Sequence, residues 1–250
     1  MEGFSASSYG DAIADVYDEL FVPDGFEMYG ATETADTVEF LAAVAGGGPA
    51  LEVGAGTGRV ALALRERGVE VTAVEVSAQM VERLRAKPGG AELRVIQGDF
   101  LTTPDPIRYP LIFAVFNTVI AFQSQERQLA FFARARESLA DGGRLVIENV
   151  VPPSAQQDAL LLRRLAFDHV LASAFSYDRA SQVAHKQHIL LREGGMRFFP
   201  LVSRHIWPSE MDLMARLAGL RLQSRHGGWS GERYTAASAR HVSTYTVGDA

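Results

Sequence analysis

The chain has 250 residues, 47% of them hydrophobic, no cysteine and a net charge of −6. That length and composition suit one large α/β domain, or a domain with a small subdomain, around a real core. The acidic balance argues against a nucleic-acid substrate, which calls for a basic footprint, and the lack of cysteine removes disulfides, thiolate metal sites and thiol nucleophiles.

In chain order, Tyr9 to Phe21 has a helical period, with Tyr9, Ile13, Val16, Tyr17 and Leu20 on one face. Pro23-Asp24-Gly25 is expected to end it. A second helix over Thr34 to Val44 turns Val38, Leu41 and Val44 inward and stops at a run of three glycines and Pro49. Strands and helices then alternate: strand Ala50–Val53, helix Arg59–Arg67, strand Val69–Val76, helix Ala78–Lys87, strand Glu92–Ile96. Alternation of this kind predicts a mainly parallel sheet with helices on both faces. Gly68 is placed as a helix C-cap and Ser77 as an N-cap.

Leu111 to Phe116 is a continuous apolar run and reads as a buried fourth strand ending in Asn117-Thr118 at the ligand edge. Ser124 is expected to cap a helix running to Leu139, with Leu129, Phe132 and Leu139 inward, and Arg144 to Val150 reads as the fifth strand. Past Pro152-Pro153 the character changes. Alternating residues with turn signals at Asp178-Arg179 and Gly194-Gly195 predict three antiparallel strands, near His169–Tyr177, Gln182–Leu191 and Met196–Ile206. One face of that meander must be buried, on a pocket or on a second subunit. A helix from Met211 to Ala218 and strands Leu220–Arg225 and His241–Val247 complete the chain. The expected organisation is a helical cap over residues 1–48, a nucleotide-binding core over 49–150, an antiparallel cover over 151–207 and completion of the core sheet over 208–250.

The chemistry concentrates after the first strand. Leu51-Glu52-Val53-Gly54-Ala55-Gly56-Thr57-Gly58 reads as strand, tight turn and helix start, where an α/β sheet binds nucleotide-like ligands. Glycines without Cβ atoms reach positive φ and let the backbone approach a ligand, while helix N-terminal N–H groups face it. The spacing is G-x-G-x-G, which disfavours the G-x-G-x-x-G of dinucleotide oxidoreductases. Glu75, next to Val76 at the end of the second strand, can accept hydrogen bonds from two ribose hydroxyls and would repel a 2′-phosphate. Asp99, after the third strand, can accept from an adenine amino group with Phe100 against the ring. Taken singly, Glu75 is also explained as a solvated strand-end carboxylate and Asp99 as a turn residue.

LEVGAGTG, VEVS and GDF in this order resemble the motifs of class I S-adenosylmethionine (SAM)-dependent methyltransferases, over roughly Thr34 to Val150. The resemblance implies a Rossmann-like α/β sheet with the antiparallel insertion after its fifth strand. It implies SAM as cofactor and S-adenosylhomocysteine (SAH) as product, with Glu52, Gly54, Ala55, Gly56, Gly58, Glu75, Val76, Asp99 and Phe100 around the cofactor. "YGDAIADVYDEL" resembles the N-terminal cap of amine and sugar N-methyltransferases from antibiotic pathways, which implies Tyr9 and Tyr17 pointing to the methionine carboxylate; both also fit as plain amphipathic-helix residues. "MDLMARLAGL" with "GERYTAASARH" resembles a bacterial subgroup that includes a peptide N-terminal methyltransferase of natural-product biosynthesis.

Met80 is a candidate for packing on the adenine or, equally, a core filler. Phe116 and Asn117 stand where cofactor and acceptor meet, with Tyr17, Asn117 and Trp207 as acceptor contacts and His205 as the candidate catalytic base. His185 and His188 have opposite parity on a strand, so they face opposite sides and form no metal pair; no metal is expected. Glu148 reads as a holder of a backbone or helix-end partner. The expected activity is methyl transfer to a small molecule or peptide, preferably at an amine nitrogen. Oxygen or carbon acceptors, and a non-methylating SAM-binding protein, are the alternatives. The polar start Met1–Ser8 and the lack of any run near the ~18 apolar residues of a membrane span give the expectation of a cytoplasmic enzyme without membrane or nucleic-acid partners, monomeric or homodimeric.

Overall fold

The computed structural model describes residues 3–21, 31–152 and 158–248. Two sheets organise them. The first has seven strands in the order β10-β11-β5-β4-β1-β2-β3. These are β1 (Ala50–Val53), β2 (Val71–Glu75), β3 (Arg94–Gln97), β4 (Tyr109–Ala114), β5 (Leu139–Val150), β10 (Leu220–His226) and β11 (Arg240–Val247). The pairs among β1 to β5 are parallel; β11 runs antiparallel to β5, and β10 to β11.

Burial on both faces explains the continuous apolar strands. On one face Leu51, Val53, Ile112 and Ile147 pack against α5 (Gln125–Ser138) through Phe131 and Phe132, and against α6 (Pro208–Leu217) through Met211 and Met214. On the other, Ala50, Leu111, Phe113 and Val146 meet α2 (Ala31–Ala45) and α3 (Arg59–Glu66) through Val38, Leu41, Val60 and Leu64. Ser124 accepts the Arg127 N–H as the cap of α5. Ser77 does the same for Met80 at α4 (Ala78–Arg85).

The second sheet is the meander, and here the sequence reading needs correction. It has four antiparallel strands, β6 (Ala159–Leu165), β7 (His169–Asp178), β8 (Val183–Arg192) and β9 (Gly195–Arg204). The unexpected β6, ALLLRRL, shows no alternation because Leu160, Leu162 and Leu165 stay exposed and its register slips between Leu162 and Arg164. The inner face packs Leu171, Leu190 and Phe199 on Ile13, Val16 and Leu20 of α1 (Ser8–Phe21). The fourth strand also ends earlier than expected: β4 stops at Ala114, and Phe116 and Asn117 form a left-handed turn at φ 57° and 67°. The fifth begins earlier, at Leu139, because that residue pairs with Tyr109. Pro23-Asp24-Gly25 and Pro153 lie outside the described residues.

A buried polar network fastens the meander to the core. Arg204 at the end of β9 is 4% exposed. It donates to Gln128 Oε1 at 2.6 Å, to Gln182 Oε1 at 2.7 Å and to Glu210 Oε1 at 2.7 Å. Gln128 on α5 returns hydrogen bonds to the Val119 and Arg204 carbonyls. Glu210 on α6 also accepts from Gln125 and Gln182.

Candidate active site

The glycine loop follows β1 directly. Gly54, Gly56 and Gly58 all have positive φ, at 73°, 56° and 82°. A Cβ on Gly54 would stand 2.8 Å from Thr118 Cγ2, whereas one on Gly56 would project into open space. The Gly56 N–H donates to Glu75 Oε2 at 2.8 Å and the Ser77 N–H to Oε1 at 2.9 Å. The Glu75 carboxylate is thereby aimed at the loop, with further lone pairs on both oxygens. Burial raises its pKa, against the pull of those two N–H groups, and Asp11 adds to the rise.

Glu52 lies within reach of the same field. It is 2% exposed, and burial pushes its carboxyl up to about 8, against the attraction of Arg59 and with Glu75 adding to the rise. Its Oε2 is a buried oxygen without a partner among the described residues. Arg59, the first residue of α3, donates to Thr34 and lies 5.9 Å over the Phe116 ring. Sequence reasoning took Arg59 only as a helix start; its signal was a cation directly after a glycine loop.

Glu148 holds a backbone partner, as expected. Its Oε2 accepts the Phe116 N–H at 2.9 Å. Asn117 Oδ1 accepts the Val150 N–H at 2.7 Å. These contacts hold two successive non-glycine residues in the left-handed region, and strain of this kind gathers at functional sites. Arg240 joins Glu148 to Glu33 of α2. Burial raises the Glu148 pKa, opposed by the Phe116 N–H and Arg240.

Helix α1 lies across the loop. Thr57 Oγ1 donates to Asp18 at 2.5 Å and Ser77 Oγ to Asp11 at 2.6 Å. Gly10 permits this approach, since a Cβ there would stand 2.6 Å from the Ser77 Cβ. The helix carries Tyr9, Tyr17 and Phe21 into a ring cluster. Tyr17 is 6.3 Å and Phe21 6.4 Å from Phe116, and Phe21 and Tyr9 are 5.8 and 6.1 Å from His188. Burial raises the Tyr9 phenol pKa.

The remaining expected residues make the following contacts. Asp99 Oδ2 pairs with Arg127 at 2.6 Å and Oδ1 accepts the Leu101 N–H. Phe100 beside that turn packs in the core, 5.7 Å from Phe131. Met80 packs with α1 as a core residue. His205 sits 5.3 Å from Tyr177, at the far end of the meander from α1. Trp207 is 42% exposed at the start of α6. His188, by contrast, is buried on the inner face, with Nδ1 2.8 Å from Ser173 Oγ, while His185 is exposed on the other. Burial pushes His188 down to about 3, with Lys186 and Arg163 adding to the fall, so it is neutral at pH 7. Strand parity separates the two histidines, as expected, and the packing of α1 decides which of them is covered.

A loop of positive-φ glycines, an acid aimed at it and an orphaned buried carboxylate oxygen fit a ligand with hydroxyl and ammonium donors, as SAM has. Comparison with known proteins agrees. Residues 50–143 match the family model described as a methyltransferase domain. The chain is 28% identical over 194 residues to the cypemycin N-terminal methyltransferase of a Streptomyces species, covering 75% of this chain and 78% of that one. The structure of the CcbJ methyltransferase from Streptomyces caelestis superposes with a TM-score of 0.92 at 36% identity, over 98% of this chain and 100% of the other. SAM-bound CalS10, an amino pentose methyltransferase from Micromonospora echinaspora, shares the fold at a TM-score of 0.65 and 22% identity, over 86% and 90% of the two chains. The chain belongs to the class I SAM-dependent methyltransferases.

Proposed function

We propose that this enzyme methylates an amine nitrogen of a small molecule or peptide, and that the ring cluster at the end of β4 receives the acceptor. The observation that carries the reading is that cluster: Tyr9, Tyr17, Phe21, Phe116 and His188 converge beside the Phe116–Asn117 turn. When an amine takes a methyl it gains positive charge. Aromatic faces attract such a cation, and Arg59 already lies over Phe116 in this manner.

Bound SAM supplies a methyl group on a positively charged sulfur, open to attack by a lone pair. Around it, Glu75 would take the ribose hydroxyls and Glu52 the ammonium group, in a cradle bounded by Gly54, Ala55, Gly56, Gly58, Val76 and Asn117. Arg59 would hold the carboxylate. Asp99 keeps lone pairs for an adenine amino group beside its pairing with Arg127. A neutral amine needs no strong base before attack. Holding nucleophile and methyl in line is worth ~7–11 kcal/mol. Neutral His188, 2.8 Å from Ser173, would take the amine's hydrogen bond in the tautomer that donates to Ser173. A relative whose name specifies an N-terminal methyltransferase supports a nitrogen acceptor.

The test is a matched panel of amines and hydroxyl compounds incubated with SAM and read by mass spectrometry. Methylated amines are expected. Methylation confined to the hydroxyl compounds would overturn the nitrogen assignment.

A further inference from the structure

Methyl transfer leaves one feature of the meander unused. Strand register sets Ala159, Phe175, Lys186 and Leu201 in one row across the inner face, beside the row Leu161, Ser173, His188 and Phe199. At the β6 slip, Arg163 turns onto the same face, and its Nε donates to Ser173 Oγ at 3.2 Å. Arg163 stands at the open rim, and Lys186 is half-buried one row from His188. Among the described residues neither forms an ion pair, and Lys186 has no hydrogen-bond partner. The nearby acids form no ion pair with either cation: Asp158, which lines a cavity together with Lys186, accepts the Tyr177 N–H, and Asp178 holds Ala180 and Ser181. Glu210 is taken up by Arg204, Gln125 and Gln182.

The consequence is a local excess of positive charge in a chain whose net charge is −6. Burial lowers the Lys186 pKa, and Arg163 lowers it further. Lys186 in turn helps to push down His188, to about 3, and His205, to about 4, in both cases after burial. Arg163, Lys186 and His188 thus share one face, and the cations beside Lys186 and His188 add to burial in making those two harder to charge. Such an arrangement is costly unless a negative charge joins it.

We propose that Lys186 and Arg163 anchor an anionic substituent, a carboxylate or a phosphate ester, on the methyl acceptor. This deepens the acceptor-site reading above and rests on it. The amine lies at the Phe116–His188 end and the anion at the Lys186 row. Two residues along a strand span about 7 Å, so the acceptor would carry its acid group on the order of that distance from its nitrogen. A short peptide with a free C-terminus or an amine bearing a phosphate ester meets this description; a small uncharged amine leaves the second position unfilled.

The experiment uses SAH-loaded protein, with inorganic phosphate and acetate as probes and sodium chloride at equal ionic strength as reference. The wild type is expected to gain about 2–4 °C in unfolding midpoint with at least one probe at tens of millimolar. The more effective probe identifies the ester or the carboxylate. Lys186→Met is expected to lose most of the gain, with Lys186→Gln behaving alike, and Arg163→Met about half. The probe-free midpoint of Lys186→Met should equal or exceed that of wild type, since a repelled cation is removed. No gain in wild type, or a gain unchanged in both lysine variants, overturns the proposal. The amine panel tests the acceptor reading separately, so either can fail alone.

Discussion

The parallel sheet and the meander are both β-structure, yet they obey different rules and hold different halves of the proposed site. Strands β1, β2 and β4 are buried on both faces, and apart from Glu52 and Glu75 at their ends their side chains fill space; the polar groups sit there and in the turns that follow, at Gly56 and Asn117. The meander is buried on one face alone. Its inner side chains Ser173, Lys186 and His188 are the groups proposed to meet the acceptor, while outer residues such as Leu160, Met196 and Phe198 remain in water. On the proposed reading, a cofactor shared by many enzymes would be held at the strand ends of a rigid frame, and an acceptor particular to one enzyme by side chains on an added sheet. The two halves should therefore be separable by mutation.

The largest effect is expected where they join. Glu210→Ala leaves Arg204 buried without its carboxylate and should cost about 3 kcal/mol in denaturant unfolding. Replacing both by Arg204→Met with Glu210→Leu should recover most of the loss, and SAM affinity should hold. A single variant as stable as wild type would mean that the network does not fasten the meander.

Next come the glycines. Gly56 and Gly68 both have positive φ and open space where a Cβ would be, but only Gly56 lies in the loop. Alanine at either should cost roughly 1–2 kcal/mol of stability. Only Gly56→Ala should also abolish SAM binding in calorimetry. Equal SAM affinity in the two variants would refute the cradle.

A third test sharpens the electrostatics. Folding lifts the Glu52 carboxyl from the usual range to about 8. The unfolded chain therefore releases the proton first as pH rises. Glu52 then lowers stability between about pH 4.5 and 8, by on the order of 1 kcal/mol per pH unit at the steepest. Glu52→Gln should remove that fall and be more stable than wild type at pH 8 without ligand. Parallel stability curves for the two proteins would contradict the buried, protonated acid.

The smallest effects separate the histidines from Trp207. His188→Ala should raise the Michaelis constant for the acceptor several-fold with SAM affinity intact. His205→Ala should do so less, and Trp207→Ala should stay within about 0.5 kcal/mol of wild type by any measure. The reverse ranking would move the acceptor site to the far end of the meander.

How much of this was legible follows from the same contrast. Double burial writes a core strand as an unbroken apolar run, and a loop motif sits at a fixed offset from it, so Gly54, Glu75 and the capping serines were readable. Glu148 was readable in kind, as an acid stranded in an apolar strand. β6 was not, because strand signals rest on alternation and its leucines alternate with nothing. The burial of His188 was not legible, because parity separates faces without saying which face is covered; that depended on α1, some 170 residues away in sequence. Phe100 packs on Phe131 in the core beside the Asp99 side-chain turn, a packing that motif spacing does not encode.

The central claim is that one ligand grips the loop and Glu75 together. Calorimetric titration of SAH into wild type and Glu75→Ala tests it most directly, with circular dichroism to confirm that both are folded. The account predicts binding to wild type, weakened in the variant by ~1.5–3 kcal/mol, roughly 10- to 150-fold. Equal affinity for the two proteins, or no binding to wild type, would contradict it.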